Sequence, residues 1–167
     1  AYLVLGAMTG AVLLVLVSSL FGVFNPVFAL LALVLLVSGW VLKTAYWRHI
    51  DGARPRSTLG TATGLDRLGP VRLLEMPHTE ENFLMREMGF QIARKHAAKL
   101  RLIVHAALFL FPLAIMALLS WLPMGPVATF FAALVAAGST VLGIVTERWL
   151  FFGEATHTSM LYYGRAP

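Results

Sequence analysis

Four long apolar blocks, nearly free of charge, constrain this chain more than any other feature. They run from Ala1 to Phe24, from Val27 to Leu42 with Thr44, Ala45, Tyr46 and Trp47 as an extension, from Leu102 to Leu122, and from Val127 to Thr146. At 1.5 Å per helical residue, the last of these is about 30 Å long, the thickness of a bilayer's hydrocarbon core. In lipid every backbone N–H and C=O needs a partner within the protein, which leaves only helices and closed barrels. The blocks are too long and too uniformly apolar for barrel strands, so they predict helices over about 1–24, 27–47, 102–122 and 127–152. Composition agrees: 59% of the residues are hydrophobic and 13% charged, where a soluble domain carries about a quarter charged. The fold class expected is all-α, an integral membrane four-helix bundle. Asn25-Pro26 and Leu122-Pro123-Met124-Gly125-Pro126 read as the short turns between paired helices. The chain opens inside an apolar run, with no initiator Met, basic n-region or Ala-x-Ala site, so it reads as the C-terminal portion of a longer polypeptide.

Charge is distributed unevenly. The segment from Lys43 to Arg101 holds 11 of the 13 Lys and Arg residues and 6 of the 8 acids, while the two short turns hold none. By the positive-inside rule this loop and the C-terminus face the cytoplasm. The net charge of +5 is then a signature of orientation rather than of nucleic-acid binding. Within the loop, Gly52 to Gly69 is rich in Gly, Thr, Arg and Pro and reads as irregular chain. A helix is predicted near 80–98: Thr79 is a good N-cap, Glu80 and Glu81 suit the first turn, and Phe83, Leu84, Met88 and Ile92 recur near the helical period. Arg86, Arg94, Lys95 and Lys99 occupy the rest of its surface. Two readings stand for this helix: an amphipathic element lying in the membrane interface, or a solvated connector packed on the bundle.

The chain has no cysteine, which excludes disulfides, thiolate zinc and cysteine-ligated iron–sulfur clusters held by this chain alone. Haem b in a helical bundle needs two facing histidines within the helices. Only His105 is so placed, so no haem is expected, and His105 reads as an interfacial histidine hydrogen-bonded to a neighbouring helix. His49, His78 and His96 lie in the polar loop, and no spacing there makes a metal site. Gly6-x-x-x-Gly10 and Ser139-x-x-x-Gly143 are small-residue pairs that allow close helix packing.

Ionisable groups are costly at a membrane helix end, so each asks for a reason. Glu147 and Glu154 are seven residues apart and share a helix face, and His157 follows Glu154 by three. Arg148 points about 100° from Glu147 by helical geometry, so it calls for a different partner. Trp149, Phe151, Phe152, Tyr162 and Tyr163 form an aromatic collar. A quinol needs hydrogen-bond partners at its oxygens, a proton acceptor and an apolar mouth for its tail. Glu147, Arg148, Glu154, His157 and, at the same edge, His105 are candidates for that chemistry. The competing reading is a plain interfacial anchor, with aromatics at the headgroups and Arg and Glu holding the helix end.

Two stretches resemble the anchor subunit family of dimethyl sulfoxide reductases, the membrane C subunit of molybdenum oxidoreductases. One is Arg72-Leu73-Leu74-Glu75-Met76-Pro77-His78-Thr79-Glu80-Glu81-Asn82-Phe83-Leu84, continuing through Glu87-Met88-Gly89-Phe90 to Ala93-Arg94-Lys95-His96-Ala97. The other is Glu147-Arg148-Trp149-Leu150-Phe151-Phe152 with Glu154-Ala155, His157 and Leu161-Tyr162-Tyr163-Gly164. The resemblance implies the C-terminal half of an eight-helix anchor in a bacterial or archaeal cytoplasmic (inner) membrane. It implies a subunit that oxidises menaquinol, bound transiently, and passes electrons to an iron–sulfur subunit, which feeds a molybdopterin catalytic subunit. The alternatives are a small helical transporter and a structural membrane tether.

Overall fold

The computed structural model describes residues 2–53, 57–75, 91–155 and 161. Six helices serve as reference: α1 (Tyr2–Leu20), α2 (Pro26–Gly52), α3 (Leu59–Thr63), α4 (Gln91–Lys95), α5 (Ala97–Trp121) and α6 (Pro126–Gly153). The described residues contain no strand. Four of the helices, α1, α2, α5 and α6, are long and apolar enough to cross a membrane. The described residues are thus helical, with the four potential membrane spans that the apolar blocks predict. It divides into two compact units, Ala1–Asp51 with Ala98–Arg148, and Gly52–Ala97 with Trp149–Pro167.

Local chemistry sets the helix ends in the first unit. α1 stops at Leu20, short of the expected Phe24, because Gly22 adopts φ 70°. The Val23 N–H then bonds the Ser18 carbonyl at 2.9 Å and the Gly22 N–H bonds that of Ser19 at 3.2 Å. This reversal satisfies two of the carbonyls that a helix end leaves bare. α2 starts at Pro26, whose missing N–H is harmless in a first turn, and the Asn25 carboxamide oxygen accepts from the Val27 N–H at 2.9 Å. At its far end α2 continues to Gly52, five residues beyond the expected Trp47, so the whole of Lys43–Gly52 lies in the helix rather than in the polar loop expected to start at Lys43.

Each long helix buries one stripe and leaves the other faces apolar and exposed, as lipid-facing surfaces are. α1 buries Leu5, Met8, Val12 and Val15; α2 buries Ala29, Ala32, Leu36, Gly39, Lys43 and Trp47. α6 buries Thr129, Ala133, Ala136, Thr140, Gly143 and Glu147. The spacings of three and four mark one helical face. Small residues in these stripes bring the backbones close: a Cβ on Gly143 would lie 2.5 Å from the Leu108 nitrogen, and one on Gly39 would lie 2.8 Å from Met8 Sδ. Gly6 and Gly10, expected as a packing pair, have open space where a Cβ would stand. They face outward on α1 and pack against nothing within 4 Å.

α5 contains one wide π turn over His105–Leu110, immediately before Pro112. Proline has no N–H and its ring crowds the carbonyl four residues back, so a regular α register is not open to it in a helix interior. The Phe111 N–H bonds the Ala106 carbonyl, five residues back. The Ala107 carbonyl therefore loses its α donor at 111, and its π donor would be the N–H that Pro112 lacks. Ser139 on α6 supplies the bond instead, its hydroxyl donating to Ala107 O at 2.7 Å. The Ser139-x-x-x-Gly143 pair thus has two distinct jobs, hydrogen bonding and close approach.

In the second unit, the stretch read as irregular contains α3. Thr58 and Thr61 form a reciprocal capping box, and Gly64 closes the helix at φ 72°. A 3₁₀ turn over Asp66–Leu68 follows, packed on Gly60. The helix expected near 80–98 falls largely outside the described residues; its described part comprises α4 and the first residues of α5.

Candidate functional site

The buried stripes of α2 and α6 both end in charge. Lys43 is 2% exposed and Glu147 is 0% exposed. Lys43 lies about 25 Å along α2 and Glu147 about 32 Å along α6 at 1.5 Å per residue, so the pair sits toward one end of each span. The Lys43 Nζ contacts Glu147 Oε1, and the Arg148 guanidinium contacts Glu147 Oε2 through Nε and Nη2. One carboxylate therefore meets two cations. Aromatic faces complete the surroundings: Lys43 Nζ stands 4.4 Å from the Tyr46 ring centroid and 4.8 Å from that of Trp47, and the Arg148 guanidinium stands 4.2 Å from the Tyr2 ring. Ring faces attract cations in desolvated places, so the excess positive charge has electron-rich neighbours.

Arg148 departs from the sequence expectation. Side chains at i and i+1 of a helix diverge, yet the Arg148 guanidinium folds back onto Glu147, its immediate neighbour. The stem is long enough to turn, and a buried carboxylate is the strongest attractor within its reach.

His105 is where a neighbouring helix can hold it, as expected. The Trp40 Nε1–H donates to His105 Nδ1 at 2.8 Å. An indole only donates, so Nδ1 accepts, and the neutral ring carries its proton on Nε2. Trp47 meets the imidazole edge to face at 5.0 Å between centroids, and Trp40 does so at 6.2 Å. Nearby, Asp51 and Arg101 form a bidentate ion pair at 2.7 and 2.8 Å, joining the end of α2 to the start of α5. Arg101 also lies 5.4 Å from the Trp47 ring.

The structure thus brings Glu147 and Arg148 together and adds Lys43, which sequence reasoning left in the loop. The signal for Lys43 was available: Ala29, Ala32, Leu36 and Gly39 define a face, and position 43 continues it. Glu154 belongs to the second unit, half-buried at the end of α6, with its N–H on the Leu150 carbonyl at 2.8 Å. His157, Tyr162 and Tyr163 lie outside the described residues. In that unit Arg94, expected on the polar surface of the loop helix, donates through Nε and Nη2 to the Gly153 and Ala155 carbonyls at 3.3 and 3.0 Å. A cation there satisfies carbonyls at a helix C-terminus and complements the helix dipole.

Among the described residues, no three His, Asp or Glu side chains are grouped to hold a metal ion. No family model, no curated protein and no solved structure matches the chain.

Proposed function

We propose that this chain is a membrane anchor subunit of a respiratory molybdenum reductase. It oxidises menaquinol together with a further half of four helices and passes the electrons to an iron–sulfur subunit, which supplies a molybdopterin subunit. The observation that carries this reading is the pair of stretches, 72–97 and 147–164, that resemble the anchor family. The Arg94 bonds to Gly153 and Ala155 join a residue of the first stretch to two positions in the second. The four spans support the membrane role. In this reading the segment between α2 and α5 and the C-terminus lie in the cytoplasm.

Quinol oxidation releases two protons and two electrons, so it needs proton acceptors at an edge of the membrane. Glu147 already meets Lys43 and Arg148, so its part is to hold α2 and α6 in register. Proton exchange falls to Glu154, which directly follows α6, with His157 three residues further along the sequence; His105 is a separate candidate on α5. Deletion of the full-length gene is the test. Quinol-dependent reduction of the terminal acceptor by membranes is expected to vanish, and the tagged protein is expected to co-purify with a multi-cluster iron–sulfur protein. Unchanged activity in the deletion strain overturns the reading.

One observation favours a second reading, a small helical transporter: Lys43 and Glu147 are opposite charges facing each other across two spans. Transport pathways place such pairs near mid-membrane, whereas these lie toward the helix ends. Protein alone in sealed vesicles, driving solute or proton movement without a redox partner, distinguishes it.

A further inference from the structure

The outer face of α2 carries a recess of about 520 Å³ lined by Trp40, Val41, Thr44, Ala45 and Arg48. Ala45 is the gap: its small side chain separates the Trp40 and Val41 end from Arg48. At 1.5 Å per residue the recess is about 12 Å long, and Arg48 stands about 33 Å from the start of the helix. That is the level of the phosphates bordering a hydrocarbon core of about 30 Å.

The polar groups along this face are already committed, with one exception. The Trp40 N–H turns inward to His105 at 2.8 Å. The Thr44 hydroxyl donates to the Trp40 carbonyl at 2.8 Å. The recess wall is therefore apolar, with no proton to offer a ring carbonyl. Arg48 is the exception. Its natural partner is Asp51, three residues on and the one acid of α2. Both Asp51 oxygens are taken by Arg101, at 2.7 and 2.8 Å. Arg48 is exposed, and its counter-ion must come from outside the helix.

The geometry points to a binding site for one anionic phospholipid, with its phosphate on Arg48 and an acyl chain along Ala45, Val41 and Trp40. A cation at phosphate depth above an apolar trough complements an amphiphile with a charged head. A quinone ring, which wants a donor at each oxygen, finds one among the described lining residues, at Arg48. This inference stands independently of the redox role proposed above.

The full chain, purified from phosphatidylcholine nanodiscs containing phosphatidylglycerol, is the material for the test, read by native mass spectrometry of retained lipid. One phosphatidylglycerol per chain is expected, preferred roughly fivefold over phosphatidylcholine, the preference that one interfacial basic residue confers. Arg48→Gln is expected to abolish the preference. Ala45→Leu, which fills the trough and keeps the charge, is expected to abolish it as well. Arg72→Gln, at an exposed cation outside the spans, is expected to leave it intact. Equal retention of the two lipids overturns the inference. So does a preference that survives Arg48→Gln or Ala45→Leu, or one lost equally in Arg72→Gln, which reports general surface charge. Retention of a quinone in place of the phospholipid overturns it too.

Discussion

Glu147 is the residue on which the buried charge depends. Removing one partner of a buried ion pair leaves the other uncompensated, at a cost of about 3–5 kcal/mol, whereas replacing both with apolar side chains of similar volume is often neutral. Glu147→Gln is therefore expected to lower the thermal midpoint of the detergent-purified protein sharply, because Lys43 stays buried. The double variant Lys43→Met, Glu147→Met is expected to recover most of that loss. Equal destabilisation in the single and double variants shows that the two side chains do not compensate each other. The sequence made part of this site legible. Glu147 and Arg148 stood out because charge at a membrane helix end is rare. Lys43 did not, because it is followed by aromatics and then by a basic loop, and charge density alone cannot separate the last buried position from the first exposed one. Arg148 was misassigned because helical angles fix where a Cβ points, not where a long stem ends.

At the level of elements, the apolar blocks predict four helices, and the described residues contain four long enough to cross a membrane. Their ends shifted by up to five residues wherever a specific contact outweighed composition. Gly22 ended α1 early, and the helix carrying Asp51 ran on to its pairing with Arg101. The small-residue motifs show what spacing leaves open. Gly6 and Gly10 have the packing spacing but face outward; Ser139 and Gly143 have it and pack. Spacing places residues on a common face without saying which face is inside. Gly143→Ala is expected to destabilise the bundle, since the new Cβ would fall 2.5 Å from Leu108 backbone and Cβ atoms. Gly39→Ala is expected to cost less, because its nearest obstacle is the flexible end of Met8. Gly6→Ala and Gly10→Ala are expected to be neutral or slightly stabilising in the isolated chain, as Ala is the better helix former. Thermal unfolding in one detergent ranks the four variants, and an equal loss at Gly6 and Gly143 contradicts the packing described.

For the molecule as a whole, orientation is the property that sequence reads most directly. Eleven basic residues fall within Lys43–Arg101, in or beside the segment that joins the second and third spans, and none in the short turns. Cysteines placed at Ser57 and at Met124, in a chain that has none of its own, are expected to differ in labelling by a membrane-impermeant maleimide applied to intact cells. Met124→Cys is expected to react and Ser57→Cys only after lysis; the reverse pattern refutes the charge reading. The redox role proposed for the chain belongs to this scale too, since partners and gene context decide it and neither is written in a single bundle. The apolar blocks carried the architecture because lipid imposes one rule on every backbone group. The site was less legible because its parts come from helices about a hundred residues apart in sequence.

The turn before Pro112 reaches beyond its own helix. An imino acid at 112 leaves a carbonyl at 107 that the Ser139 hydroxyl serves. Substitutions at the two positions are therefore expected to be tolerated in one order better than in the other. A lineage that first exchanges Pro112 for a residue with an N–H frees Ser139 to become alanine or glycine. A lineage that loses Ser139 first must pass through a chain with a bare carbonyl within the bundle. The side chain tolerated at 139 is thus expected to depend on the one at 112, although the two share no sequence neighbourhood.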